Sequence, residues 1–240
     1  MSGHSHFKTI KAQKEIADAK KGKIFSKIAS LITIAAKEGP DPASNSKLRI
    51  AIEQAKAVNM PKDNVERAIK RGTGELAGKK LEEVIFEGFG PGNTAIIVEA
   101  ITDNKNRTLS EVKQIFNQNN GKLASEGAVQ WMFERKGIIT IDHKKSGKSN
   151  EQLELAAIES GAEDIELRQD FLEVYTKLEA LEKVKNNLTE RGIEIEGSAI
   201  GWVPKNNIAV DKKNKQNCQN LFESLDENEA VQEIYYNIKD

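Results

Sequence analysis

Lys62, Arg67, Lys70 and Arg71 recur within residues 59–75, close enough to share the surface of one short helix. Permanent cations at that spacing do not shuttle protons at neutral pH; what they do well is hold phosphate oxygens. The stretch carries its own helix punctuation. Pro61 suits a first helical residue, whose N–H would lack a partner in any case. Asp63 in the first turn and Lys70 and Arg71 in the last complement the helix dipole. Gly72 reads as the left-handed stop. Val65, Ala68 and Ile69 form an apolar stripe at i, i+3 and i+4, too thin to sustain a helix alone. This helix must therefore lean on others and show its cations to water. For any one of those cations a solvated helix end is the stronger reading, so only their company decides.

Other residues with chemical potential point elsewhere. Gly88-Phe89-Gly90-Pro91-Gly92 resembles a phosphate cradle. It lacks the Gly-Lys-Ser/Thr ending of a P-loop and precedes a strand, so a tight connection needing positive φ is the stronger reading. His4 and His6 have no nearby thiol or carboxylate to complete a metal site. His143 lies in a Lys/Ser/Gly loop with no triad context, and Cys218 sits near Leu221 and Phe222 as a packed thiol. Asn106 or Asp103 can cap the helix that follows them. Arg107 in that first turn opposes the dipole, which suggests an anion for it to hold. No residues are expected to be catalytic, and no metal or other cofactor is expected.

The elements that must position the cations follow from periodicity. Residues 13–37 read as a helix, with Ile16, Ile24, Phe25, Ile28, Leu31, Ile32 and Ala35 on one side and Gly22 dividing or bending it. Lys14, Lys20, Lys21, Lys23 and Lys27 occupy most of the other face, and Lys8 and Lys11 lie on an arm before it. Gly39-Pro40-Asp41-Pro42 breaks the chain, and a second helix is expected over 46–58. Residues 73–80 read as a linker. Strands are then expected at 83–87 and 95–102, a helix at 108–119, and strand-like segments at 122–125 and 128–134, with Trp131 and Phe133 in the core. Residues 137–203 give strand, helix, strand, strand, helix, strand, the split βαβ order. A final helix (212–225) and strand (231–238) supply what the middle segment lacks.

The expected architecture is α+β in three domains: an N-terminal helical bundle followed by two ferredoxin-like α+β domains, the third inserted in the second. The boundaries are 1–78 for the basic helical domain, 79–135 plus 205–240 for the discontinuous domain, and 136–204 for the insert. A net charge of −1 hides an asymmetry, because residues 1–80 hold 17 Lys and Arg against 8 Asp and Glu. A cationic module facing a polyanion and an acidic body are expected. No apolar run is long enough for a membrane span, no signal-peptide core is evident, and a single cysteine fits a reducing compartment. A cytoplasmic monomer is the expectation.

Longer strings agree with a known family. They include Gly3-His4-Ser5, Gly22-Lys23-Ile24-Phe25, Ala35-Ala36-Lys37-Glu38-Gly39 and Asn59-Met60-Pro61-Lys62-Asp63-Asn64. Glu66-Arg67-Ala68-Ile69-Lys70-Arg71-Gly72, Thr102-Asp103-Asn104, Asn106-Arg107-Thr108 and Trp131-Met132-Phe133-Glu134 continue the series. The chain resembles the YebC family, bacterial proteins labelled probable transcriptional regulators and similar to the mitochondrial translational activator of cytochrome c oxidase subunit I. His6 and Phe7 stand where the family usually has lysine and tryptophan. The resemblance implies three domains, no enzymatic activity and nucleic-acid binding in gene regulation. It also implies an alternative, a ribosome-associated translation factor that binds ribosomal RNA or tRNA and eases stalling at proline-rich stretches. The implied partner is thus DNA, or RNA on the ribosome, with no membrane and no small-molecule substrate. The candidate contact residues are Lys8, Lys11, Lys14, Lys20, Lys21, Lys23, Lys27, Lys62, Arg67, Lys70, Arg71 and Arg107.

Overall fold

The computed structural model describes residues 18–168 and 170–239. Three helices come first: α1 (Asp18–Ala36), α2 (Ser46–Ala57) and α3 (Lys62–Gly72). They meet over Ile28, Ile32, Ala35, Leu48, Ala51, Ala55, Met60 and Ala68, the residues that the three- and four-residue spacing turns inward. Gly22 neither divides nor ends α1, because the helical ladder runs through it. Asn45 caps α2 by accepting from the Leu48 N–H, and its amide donates to the carbonyls of Ala35 and Gly39. One side chain thereby closes the turn between two helices.

Gly72 is not the left-handed stop that sequence spacing suggests. It is the last helical residue of α3, and positive φ falls instead at Gly74 (84°). Its lack of a side chain serves packing: a Cβ there would lie 2.4 Å from the Thr33 carbonyl oxygen and 2.7 Å from Ala36 Cβ. Pro61 precedes the helix as its cap residue.

The first sheet contains β1 (Glu82–Gly90), β2 (Thr94–Thr102), the short β3 (Lys122–Leu123) and β8 (Val231–Tyr236), in the order β3-β1-β2-β8. Helices α4 (Lys105–Gln118) and α7 (Lys212–Asp226) contribute Val112, Phe116, Cys218, Leu221 and Leu225 to the core beside Val84, Phe86, Ile96, Val98 and Ile234. This sheet does not follow the ferredoxin-like order expected for it. β1 and β2 are joined directly as an antiparallel hairpin, from Glu82 opposite Thr102 to Gly90 opposite Thr94. No helix fits between them: the connection is the turn Pro91–Asn93, in which Gly92 and Asn93 take positive φ of 70° and 60°. The glycine-rich stretch is therefore the end of β1, through Gly90, and the start of the hairpin turn; Gly88 is required within the strand because a Cβ would strike Phe116 at 2.5 Å.

The second sheet contains β4 (Phe133–Ile141), β5 (Asp164–Leu167), β6 (Leu172–Thr176) and β7 (Gly197–Pro204), ordered β5-β6-β4-β7. With α5 (Asn150–Ser160) between β4 and β5, and α6 (Leu181–Glu190) between β6 and β7, this is the split βαβ order. β6 runs antiparallel to both β4 and β5. Ser149 and Gln152 form a reciprocal capping box at the start of α5, and Gly161 (φ 102°) ends it. The chain separates into two compact units, Phe133–Val203 and the chain on either side of it.

Residues 128–134 do not form a strand of their own. A turn at Gln130–Met132 leads into β4, and Trp131, expected in the core, is 68% exposed. The alternation that suggested a strand belongs to the turn. Only Phe133 and the residues after it join the sheet.

Candidate nucleic-acid interface

Helix α3 owes its position to α1. The Thr33 hydroxyl lies 3.2 Å from the Ala68 carbonyl, Gly72 passes hard against Thr33 and Ala36, and Ala68 is buried. With that side fixed, Lys62, Arg67, Lys70 and Arg71 all stand exposed. Arg67 folds back on its own helix, donating to the Asp63 carbonyl and the Asn64 side-chain oxygen, both neutral acceptors. Among the described residues, no carboxylate lies within ion-pair distance of Lys62, Lys70 or Arg71. Four cations against Asp63 and Glu66 leave this helix net positive, and cations without a direct ion pair remain available to phosphate oxygens.

The other candidate residues divide. Lys8, Lys11 and Lys14 fall outside the described residues, as does the side chain of Lys20. Lys21 is exposed on α1. Lys27 is not on an open cationic face: its side chain is buried, and its ammonium donates to the Asp226 carboxylate (2.8 Å) and main-chain carbonyl (3.0 Å) at the end of α7. A cation against the last carbonyls of a helix is well placed as a tether. Lys23 lies near the same acidic end. Burial, and after it the neighbouring Lys27, hold its pKa below the usual lysine value, against the attraction of Asp226, Glu227 and Glu229.

Arg107 is likewise engaged within the chain. Asn104, rather than Asn106 or Asp103, caps α4, accepting from the Arg107 N–H at 3.0 Å. The Arg107 guanidinium pairs with Asp103 at 2.7 Å and approaches Glu111 at 3.7 Å. Lys79 joins Asp103 at 2.6 Å, and that contact, ahead of Arg107, holds the Asp103 carboxyl below the usual range despite some desolvation. The anion that Arg107 needs is already there. Sequence alone places these residues near one another but not in register.

In the second unit, Tyr175 does not offer a stacking face. It is buried, with its hydroxyl 2.8 Å from Glu173 and 2.9 Å from Glu166, and burial followed by those two charges pushes its pKa up. Residues 133–203 hold 10 Lys and Arg against 15 Asp and Glu, which disfavours broad contact with a polyanion. Cys218 is buried, its thiol 3.3 Å from the Pro91 carbonyl, and burial raises its pKa, so it is packed rather than reactive. Among the described residues, no group of His, Cys, Asp and Glu is arranged to hold a metal ion, and no helix is long and apolar enough to cross a membrane.

A further set of cations lies outside the candidates named from the sequence. Residues 204–215 carry four lysines, Lys205, Lys212, Lys213 and Lys215, against Asp211 alone. This local excess lies within a C-terminal portion that is acidic as a whole.

Comparison with known proteins covers nearly the whole chain. The family model described as the TACO1/YebC protein N-terminal domain matches residues 5–75, and that of the TACO1/YebC second and third domain matches residues 81–238. A protein of Caldanaerobacter subterraneus named "Probable transcriptional regulatory protein" is 47% identical over 240 residues, covering 100% of this chain and 98% of the relative. One of the same name from Dictyoglomus turgidum is 47% identical over 238 residues, 99% of this chain and 95% of the other. The crystal structure of a conserved hypothetical protein from Aquifex aeolicus superposes with a TM-score of 0.86 at 44% identity, covering 92% of this chain and 91% of that one.

Proposed function

The chain belongs to the TACO1/YebC family, and from that and the open cations of α3 we infer that it is a non-enzymatic, nucleic-acid-binding regulator of gene expression. The first reading is a DNA-binding transcriptional regulator, in keeping with the name carried by its relatives. The observation that carries it is the exposed face of Lys62, Lys70 and Arg71, which have no carboxylate within ion-pair distance among the described residues. Phosphate contacts of this kind give affinity and orientation; base identity is read by other groups. A cytoplasmic location and a monomeric state go with this reading. So does a three-domain plan, in which an insert at 136–204 interrupts a domain made of 79–135 and 205–240. The compactness of Phe133–Val203 supports that plan.

A second reading is a ribosome-associated factor that contacts ribosomal RNA or tRNA. It is favoured by the pairing of TACO1 with YebC in the description of the family, and cations on a helix serve an RNA backbone as well as a DNA one. The test is the variant Lys62→Glu, Lys70→Glu, Arg71→Glu in the full chain, assayed for retardation of duplex DNA and for co-sedimentation with ribosomes at low salt. A loss of about 100-fold or more in affinity for one of these targets identifies it. Unchanged binding to both overturns the role given to α3.

A further inference from the structure

Trp131 is the most exposed large hydrophobic side chain among the described residues, and it is held firmly. The buried Glu87 carboxylate accepts from the N–H groups of Gly127 (2.6 Å), Val129 (2.7 Å) and Gln130 (2.9 Å), fixing the backbone that leads to it. The indole N–H donates to the Ala128 carbonyl at 3.1 Å, and the Met132 N–H donates to the Val129 carbonyl at 2.9 Å. The Trp131 carbonyl accepts from the Lys205 ammonium at 2.9 Å, while the Lys205 N–H donates to the Met132 carbonyl at 2.9 Å. The only polar atom of the side chain is satisfied, and a bare π face stands in water. Single exposed apolar residues are ordinary. One whose turn is tied down by a buried carboxylate, and whose carbonyl is bridged to a lysine, is preorganised.

Lys205 opens a lysine-rich stretch. The chain runs on to Ile208, whose N–H donates to the Asn237 carbonyl at 2.7 Å and whose carbonyl accepts from the Lys239 N–H at 2.8 Å, bringing Lys239 alongside. Lys212 and Lys213 follow on the first turn of α7. The one carboxylate of the stretch, Asp211, accepts from the Asn214 backbone N–H (2.7 Å) and its side-chain amide (2.9 Å) as the helix cap. Lys205, Lys212, Lys213 and Lys239 are exposed, and none has a carboxylate partner among the described residues.

A held aromatic face with unpaired lysines on the chain that leads away from it is the chemistry that takes unpaired nucleotides: a base stacks on the ring and lysines meet the sugar-phosphate chain. We propose that Trp131 with Lys205, Lys212, Lys213 and Lys239 forms a second nucleic-acid contact, selective for single-stranded nucleic acid and separate from α3. It rests on the reading of this chain as a nucleic-acid binder and adds the class of strand.

The test uses the full chain carrying Trp202→Phe, which leaves Trp131 as its only indole. It is titrated with a ten-nucleotide oligouridylate and with a blunt DNA duplex. The single strand is expected to quench Trp131 emission and protect it from acrylamide. Trp131→Ala should weaken single-strand binding about 5- to 50-fold, Trp131→Phe should stay within about threefold of the parent, and duplex affinity should not respond to either. If Trp202→Phe unfolds the chain, the Ala and Phe variants of Trp131 alone decide. An unchanged single-strand affinity in Trp131→Ala overturns the proposal, including the case in which the α3 reversal abolishes binding and the function proposed above survives. Single-strand binding that falls with Trp131→Ala while the α3 reversal changes nothing supports the second contact and removes the role of α3.

Discussion

Helix α3 and the start of α4 carry the same kinds of side chain and use them in opposite ways. On α3, Lys62, Lys70 and Arg71 stand exposed, with no carboxylate among the described residues within ion-pair distance. On α4, Arg107 lies between Asp103 and Glu111, and Lys79 shares Asp103 with it. Lys27 repeats the second pattern more strongly, held against the end of α7. Surface potential therefore depends less on how many cations a segment holds than on which of them lack an intramolecular anion. The 17 Lys and Arg of residues 1–80 are not 17 equivalent contacts.

The strongest way to break the contrast is to dislodge α3 from α1. Gly72→Val places side-chain carbon against the Thr33 carbonyl and Ala36, neither of which can move without the helix. A loss of about 2–4 kcal/mol in stability is expected by urea denaturation, with weakened nucleic-acid binding. Undiminished stability would mean that α3 does not pack as closely as described.

That packing marks where sequence reading stopped. The i, i+3, i+4 spacing of Val65, Ala68 and Ile69 made α3 legible, and the alternation of 137–203 made the split βαβ order legible. At Gly72 a stop and a close approach both demand glycine, and only the neighbouring helix tells them apart. The β1–β2 hairpin was visible in Gly88–Gly92, yet its direct connection spoiled the order expected for the first sheet. Apolar residues two apart suggest a strand with Trp131 in the core, whereas a turn tied by Glu87 turns that ring outward. For the candidate contacts, charge type was plain from the sequence and partnership was not. Asp226 lies 199 residues from Lys27.

Smaller changes sharpen the contrast. Asp103→Asn removes the anion shared by Lys79 and Arg107 and makes the start of α4 resemble α3. Nucleic-acid affinity at low salt should rise about two- to threefold, measured by fluorescence anisotropy. Unchanged affinity would place α4 away from the bound strand.

The smallest expected effect is on pH dependence. The Asp103 carboxyl is held below its ordinary pKa of about 4. Its contribution to stability is therefore full above that value and disappears as pH falls through the lower folded-state value. Denaturation of the parent and of Asp103→Asn should differ at about pH 5, and the difference should shrink as the solution is acidified below the ordinary carboxylate range. A difference that persists in acid would assign the effect to something other than this carboxylate.

The most direct measurement is the salt dependence of binding by the parent chain and by Lys62→Glu, Lys70→Glu, Arg71→Glu. Each phosphate contact contributes about 0.9 to the slope of log affinity against log salt on duplex DNA. If α3 makes those contacts, the slope of the triple variant should be lower by about 2 to 3. Parallel lines for the two proteins would contradict it.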